Sequence, residues 1–312
     1  MDLSVVIPTR NRPTALVDCL RAVKAASENY RVETLVMDQS EDDSTRAVVE
    51  QMGDPSFKWQ RMPRQGACPA RNLGAALAQA PLVAFLDDDC CPRLDWVERI
   101  SRAFATDPEL QFIFGQLKAP AKGDRSVGWY PEFLPSPEWQ AQTTPRRVAM
   151  VAAGANMIAR KEFLLRIGGF DELLGPACPT VKSNDSSISY KVLRSGAKWI
   201  ADQDIEVIHE HGFRRHVDFA RLVSEYDHGL GVNWARFARR GDARAAAYFC
   251  LEHWEMTVPI VKDAVRLRRP RGLKNWFAHL TGFVDGLRVE PTLGYVDGPR
   301  LRRMAETRSL DG

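Results

Sequence analysis

Short apolar runs alternate with helix-spaced segments through the first two-thirds of the chain. Leu3-Ser4-Val5-Val6-Ile7 predicts a buried strand that stops at Pro8, because a proline removes a ladder donor. A polar turn, Thr9-Arg10-Asn11-Arg12, leads to Pro13, which suits a first helical position, and Leu16, Leu20 and Val23 recur at helical spacing. Residues 33–37 predict a second strand, followed by a polar turn over 38–44 and a helix through Val48 and Met52. Residues 59–62 give a weak strand, and Pro69 opens an Ala-rich helix over 70–80. Leu82-Val83-Ala84-Phe85-Leu86 has no polar position, so it predicts a strand buried on both faces.

A helix over 96–105 and a strand over 110–117 complete the first half. Residues 118–147 combine many prolines with Trp129, Tyr130, Phe133 and Trp139, which predicts a functional loop closing over a ligand. The apolar stretch 148–159 predicts a strand, and 161–167 a short helix stopped by Gly168-Gly169. Another helix over 186–195 ends at Gly196, and 205–208 forms a last short strand before His209-Glu210-His211. Beyond that the periodicity is helical throughout. The β-α-β-α rhythm implies an α/β fold with a mostly parallel central sheet flanked by helices, and a helical C-terminal extension. The expected division is 1–211 for the sheet domain and 212–312 for helices serving packing, oligomerisation or membrane-surface contact.

With 312 residues, 45% of them hydrophobic, the chain has ample material for a core. The net charge of +3 is unevenly spread: residues 1–209 hold 25 Lys and Arg against 27 Asp and Glu, residues 210–312 hold 18 against 13. A basic tail of this kind suits an anionic surface such as lipid headgroups, or a solvated helix face. No basic n-region precedes the first strand and no run of about 18 apolar residues occurs. A cytoplasmic protein is therefore expected, peripheral at most on the inner face of a membrane. The six cysteines show neither a C-x-x-C pair nor zinc-site spacing. The turn after the first strand lacks G-x-G-x-x-G and no P-loop occurs, which removes ordinary dehydrogenases and NTPases.

Candidate chemistry gathers after the strand at 82–86. Asp87, Asp88 and Asp89 repel one another, and a hard divalent cation is the simplest group that makes such a cluster favourable. Carboxyl ends of strands are also where ligands sit in open α/β sheets. The alternative is a solvated acidic turn. His209 and His211 share one face of a strand end, and imidazole is a reasonable Mn²⁺ ligand, although packed polar histidines would look the same. Asp38 suits an Asx turn, Asp185 a helix N-cap, and Arg71 a helix start.

Six motifs, taken together, resemble the family 2 glycosyltransferases. They are Ser4-Val5-Val6-Ile7-Pro8-Thr9-Arg10-Asn11-Arg12, the acidic turn at Asp38, Ala70-Arg71-Asn72-Leu73-Gly74, Phe85-Leu86-Asp87-Asp88-Asp89, Gly168-Gly169-Phe170-Asp171-Glu172, and Asn184-Asp185. They follow the family's order and cover residues 1 to about 211. The resemblance implies a GT-A-type fold and an inverting transfer from a UDP- or dTDP-sugar to a glycan, lipid-linked or small-molecule acceptor, with Mn²⁺ or Mg²⁺. It implies nucleotide-sugar binding by Pro8, Thr9, Arg10, Asn11, Asp38, Arg71 and Asp88, with Asp38 accepting from the N3–H of uracil or thymine and Asp88 on the ribose. Metal ligation falls to Asp89 and His209, and removal of the acceptor proton to Asp185, while Asp87 holds the turn. The family usually shows Glu-Asp where this chain has Asn184-Asp185, so the base is retained and its acidic neighbour lost. Trp129, Asp171, Glu172 and Asn184 are expected near the acceptor.

A non-catalytic sugar-nucleotide or glycan-binding protein of the same fold is the alternative. A nucleotidyltransferase would need a Gly-rich, Arg-containing loop after the first strand, which is missing. In the tail, Trp234, Phe237, Trp254, Trp276, Phe277 and Phe283 recur at helical intervals and are expected in a core. Lys262, Arg266, Arg268, Arg269, Arg271 and Lys274 gather beside Val261, Val265, Leu267 and Leu273. Such a patch suits docking on anionic lipid, packing on the sheet domain, or a homodimer interface. No nucleic-acid partner is expected.

Overall fold

The computed structural model describes residues 1–62, 65–121, 125–136, 153–175, 183–294 and 296–307. Strand β1 (Leu3–Thr9) is buried along its whole length and lies between β2 (Val32–Asp38) and β4 (Leu82–Leu86), parallel to both. Strand β3 (Phe57–Arg61) extends this half beyond β2, again in parallel. The crossovers are α1 (Pro13–Ala26), α2 (Ser44–Met52) and α3 (Ala67–Leu77). Pro13 stands in the first turn of α1, where its missing N–H costs nothing.

The other half contains β5 (Cys91–Pro92), β6 (Leu110–Lys118), β8 (Asn156–Arg160) and β9 (Lys198–Ile208). Strand β8 pairs antiparallel with both β4 and β6, β9 runs parallel to β6, and β5 closes the edge antiparallel to β9. The eight-stranded order is β3-β2-β1-β4-β8-β6-β9-β5. Chain connections leave β1 toward β2 on one side and reach β4 on the other, so a crevice opens at the carboxyl ends of β1 and β4. Helices α4 (Trp96–Thr106), α5 (Lys161–Arg166) and α6 (Asn184–Arg194) complete this part.

Three local expectations are corrected. Strand β1 runs through Pro8 to Thr9: pairing with β4 covers only Ser4, Val5 and Val6, so at Pro8 the strand has a neighbour on the β2 side alone and tolerates a residue without N–H. Strand β9 begins at Lys198 rather than near 205; its first half is only partly buried and runs from Trp199-Ile200-Ala201 into polar Asp202-Gln203-Asp204, and a register shift opposite Gly115 and Gln116 breaks the alternation. A strand also follows His211. The two-residue β10 (Arg214–Arg215) pairs antiparallel with β7 (Gly128–Trp129), tying the start of the proline-rich loop to the chain leaving β9. Residues 137–152 of the predicted loop and strand, Trp139 included, lie outside the described residues.

The C-terminal part is helical as expected: α7 (Phe219–Arg239), α8 (Ala243–Val265), α9 (Leu273–Arg288) and α10 (Gly298–Thr307). Helices α7 and α9 approach so closely at Gly282 that a Cβ there would meet the backbone of His228. Buried Arg236 of α7 forks onto buried Asp171, Nε to Oδ2 at 2.9 Å and Nη2 to Oδ1 at 3.0 Å, pinning the helices to the turn after α5. Val296 and Leu301 then pack against Ala76 of α3 and Leu165 of α5. No helix among the described residues is long and apolar enough to cross a membrane.

Candidate active site

A cavity of about 510 Å³ opens at the carboxyl ends of β1 and β4. Its floor is the turn Asp87-Asp88-Asp89, closed by the bond from Cys90 N–H to the Asp87 carbonyl at 3.1 Å. Asp88 and Asp89 are only 5% and 4% exposed, which rules out a solvated acidic turn. Positive charge comes from outside the turn: Arg12 Nη1 donates to Asp88 Oδ1 at 3.2 Å and Asp89 Oδ2 at 3.0 Å, and Thr9 Oγ1 donates to Asp88 Oδ2 at 2.7 Å. Burial still dominates at Asp88 and pushes its pKa up to about 6, against these bonds.

His209, at the end of β9, brings Nε2 within 3.4 Å of Asp89 Oδ1 while Nδ1 lies 3.2 Å from the Pro131 carbonyl. A carbonyl accepts only, so Nδ1 carries the proton and donates to it, which aims Nε2 at the carboxylate. Two acceptor atoms facing one another need a proton or a cation between them. Burial pulls the His209 pKa down, but the Asp89 bond and charge outweigh it and the net shift is upward. Asp89 moves the opposite way, its desolvation overcome by His209 and Arg12. One carboxylate and one imidazole, held this close and buried, fit a divalent Mn²⁺ or Mg²⁺ ion. The Cys90 thiol lies within reach of the same pair, its pKa driven well above the ordinary value by burial, and a hard cation favours the oxygen ligand over sulfur. His211 turns away, to Asp18 at 3.1 Å.

A second network lines the same cavity. Arg71, buried on α3, donates from Nη2 to Asp87 Oδ1 at 2.6 Å, and its Nη1 lies 3.8 Å from Asp185 Oδ1. Arg71 lines the cavity, and among the described residues its buried Nε and Nη1 have no hydrogen-bond partner. Asp185 stands in the first turn of α6, after Ser183, whose φ of 137° is a strained value for a non-glycine residue. Asn184 Nδ2 donates to Asp185 Oδ1 at 2.5 Å. Burial raises the Asp185 pKa, with Arg71 pulling it back and Asp87 adding to the rise. A Cβ at position 154 would collide with Asp185 Oδ1, so glycine alone permits this approach.

The expected residues are thus partly assembled. Pro8, Thr9, Arg10, Arg71, Asp88, Asp89, Asn184, Asp185 and His209 line the cavity. Asp87 holds the turn by its backbone, but its side chain also joins the Arg71 network. Asp38 does not reach the cavity: its carboxylate is fully buried, accepting from Ser40 N–H at 2.8 Å and Trp59 Nε1 at 2.9 Å with Arg61 beside it. Its neighbour Gln39 lines the cavity instead. Asn11, left-handed at φ 55°, caps the outer turn through Glu41 N–H and Ser40 Oγ.

The expected acceptor residues also divide. Asp171 is consumed by Arg236 and Arg240, and Glu172 accepts from Asn72 Nδ2 at 3.2 Å, so both carboxylates support the fold behind the cavity. Trp129 packs edge-on against Phe219 at 5.7 Å, outside the cavity lining. The sequence reading missed Arg12, Gly154, Arg214 and, from α7, Leu222 and Tyr226. Arg12 lies inside a quoted motif; the others come from distant segments with no local signal.

Comparison with known proteins bears on the family and the fold. The sequence matches the model of glycosyl transferase family 2 over residues 4–172. The pre-mycofactocin glycosyltransferase of Mycobacterium tuberculosis is 26% identical over 221 residues, which is 67% of this chain and 43% of that protein. The chain therefore spans less than half the length of that relative. Among solved structures, the mannosyltransferase PcManGT of Pyrobaculum calidifontis, in complex with GDP-Man and Mn²⁺, superposes with a TM-score of 0.55 at 16% identity, covering 92% of this chain and 86% of its own. S. aureus TarS 1-349 gives 0.56 at 16% identity, covering 98% and 91%. These likenesses show the fold, which is of the expected GT-A type.

Proposed function

The chain belongs to glycosyl transferase family 2, and on that footing we propose that it moves a sugar from a UDP- or dTDP-sugar to an acceptor hydroxyl, inverting the anomeric carbon in one displacement. The observation carrying this reading is that one cavity holds two separate networks, Asp88–Asp89–His209 with Arg12, and Asp87–Arg71–Asp185. A single displacement needs a leaving-group site and a base as distinct groups within reach of one substrate.

Asp185 is the proposed base. Its pKa, raised mainly by desolvation, makes it a better proton acceptor than a carboxylate at its ordinary value. Asn184 and Arg71 both meet Oδ1 and hold the carboxylate in place; the other oxygen is the one proposed to take the acceptor proton. The Arg71 guanidinium, on the cavity lining, suits a donor phosphate or sugar oxygen. A divalent cation bound by Asp89 and His209 would neutralise charge on the departing nucleoside diphosphate, in line with the Mn²⁺ of the Pyrobaculum structure. The donor base rests on the family resemblance. Asp38 would have to give up its bond to Trp59 or Ser40 to meet a pyrimidine. The acceptor is proposed to be a glycan, a lipid-linked sugar or a small molecule, in polysaccharide or glycoconjugate synthesis.

Thermal-shift titration with UDP-, dTDP- and GDP-sugars, each with Mn²⁺, with Mg²⁺ and with chelator, tests the assignment. Stabilisation by a UDP- or dTDP-sugar that disappears with chelator is expected, together with slow donor hydrolysis. Stabilisation by GDP-sugars alone would move the donor class. Binding with no turnover would favour a non-catalytic sugar-nucleotide-binding protein.

A further inference from the structure

We propose that the hairpin of α8 and α9 docks on an anionic lipid bilayer. Helix α8 is amphipathic in the wrong sense for a solvated helix. Glu252 and Asp263 are buried, whereas Leu251, Trp254, Val261 and Val265 face outward, Trp254 at 65% and Val265 at 78% exposure. These four are spaced by three, seven and four residues and form one stripe, with half-buried Val258 between Trp254 and Val261. Helix α9 presents a second stripe of exposed Leu273, Phe277, Val284 and Leu287.

Inter-helix contacts show where the stripes point. Phe249, His253 and Thr257 of α8 meet Phe283, His279 and Trp276 of α9. Glu252 accepts from Trp234 of α7, and Gly282 of α9 abuts His228 of α7. By helical phase both stripes fall on the remaining side, away from α7.

At the tip of the hairpin Leu267 is 96% exposed and is ringed by exposed Lys262, Arg266, Arg268, Arg269 and Lys274. Arg271 is committed to buried Asp263 at 2.9 Å. Aromatic and aliphatic side chains on a face ending in a basic rim match the interfacial zone of a bilayer with anionic headgroups. A second copy would bring the same positive tip and has only Glu255 to offer on the outer face of α8, so charge complementarity favours lipid.

The location gives the surface a use. Asp227 is hydrogen-bonded to Asn275, placing the start of α9 beside the first turns of α7, where Leu222 and Tyr226 line the cavity. Exposed Val217 and Phe219 lie at the same end. A bilayer against this face has the cavity mouth close by. Docking is argued from the surface alone; only its use, presenting a lipid-linked acceptor to Asp185, rests on the transfer reaction proposed above.

Co-sedimentation of the full chain with vesicles of phosphatidylcholine alone, and of phosphatidylcholine with phosphatidylglycerol, tests it. Pelleting on the anionic vesicles only, weakening as salt rises, is the expected result. Arg268→Gln with Arg269→Gln should weaken partitioning about 25-fold, roughly fivefold per basic side chain, and Leu267→Ser should weaken it further. These positions are exposed, so thermal unfolding of the variants should match the parent whether or not any transfer activity is found. Equal pelleting on neutral vesicles, or none on either, overturns the proposal. So does a dimer in light scattering that Trp254→Ser disperses.

Discussion

The strand tips of the sheet half and the outer helix α8 of the helical half break the usual rule of burial in opposite ways. Strands β1, β2 and β4 put apolar side chains inside and hold carboxylates at the strand tips, Asp38, Asp88 and Asp89 buried with Trp59 and Arg12 as partners and half-exposed Asp87 paired with Arg71. Helix α8 keeps Glu252 and Asp263 inside and turns Leu251, Trp254, Val261 and Val265 outward. In the first region polar burial is concentrated where a ligand fits. In the second, apolar exposure is concentrated where nothing in the chain covers it among the described residues. A misplaced polarity is informative in both directions: inward charge marks chemistry, outward apolar surface marks a partner.

The strongest way to break that contrast is at the strand tips. Asp89→Ala should remove metal-dependent donor binding and lower turnover by about 10³-fold or more, since charge neutralisation at the diphosphate is worth several kcal/mol; isothermal titration with and without Mn²⁺ and a steady-state assay read the two effects. Retained activity would refute the metal assignment. Asp185→Asn should cut kcat by about 10²–10⁴ while leaving donor affinity within about twofold. The base must be ionised and its pKa is raised, so in the parent kcat should fall on acidification through a limb lying above the ordinary carboxylate value near ~4. A wild-type rate in this variant places the base elsewhere.

The smallest expected effect belongs to the helical half. Burial raises the pKa of Asp227 to about 6, against opposing effects of His279 and Asn275. A carboxylate whose folded pKa lies above its unfolded one contributes stability that is complete below the unfolded value and is lost as pH rises through about 6. Asp227→Asn should therefore show a smaller rise in Tm between pH 7.5 and pH 5 than the parent, by a few degrees in differential scanning calorimetry. An identical pH slope would show that Asp227 is solvated in the folded protein.

The sequence by itself determined most of the order of strands and helices through 211, the two-residue β5 and β7 excepted, because apolar runs and helical periods are local; its resemblance to the family marked Asp87–Asp89, Arg71, Asp185 and His209, all but Arg71 beside an element's end. Tertiary structure alone decided how those residues divide. Adjacent Asp87 and Asp88 side chains leave one turn toward different partners, Arg71 in one case and Thr9 with Arg12 in the other. Asp38, at a strand end like the rest, is sealed behind Trp59, a contact set by how β3 lies on β2. Asp171 went to Arg236, sixty-five residues away. A carboxylate's position along the chain fixes which strand end it occupies, but only the packing around that end supplies its cation, and the cation determines whether it holds the fold or faces the substrate.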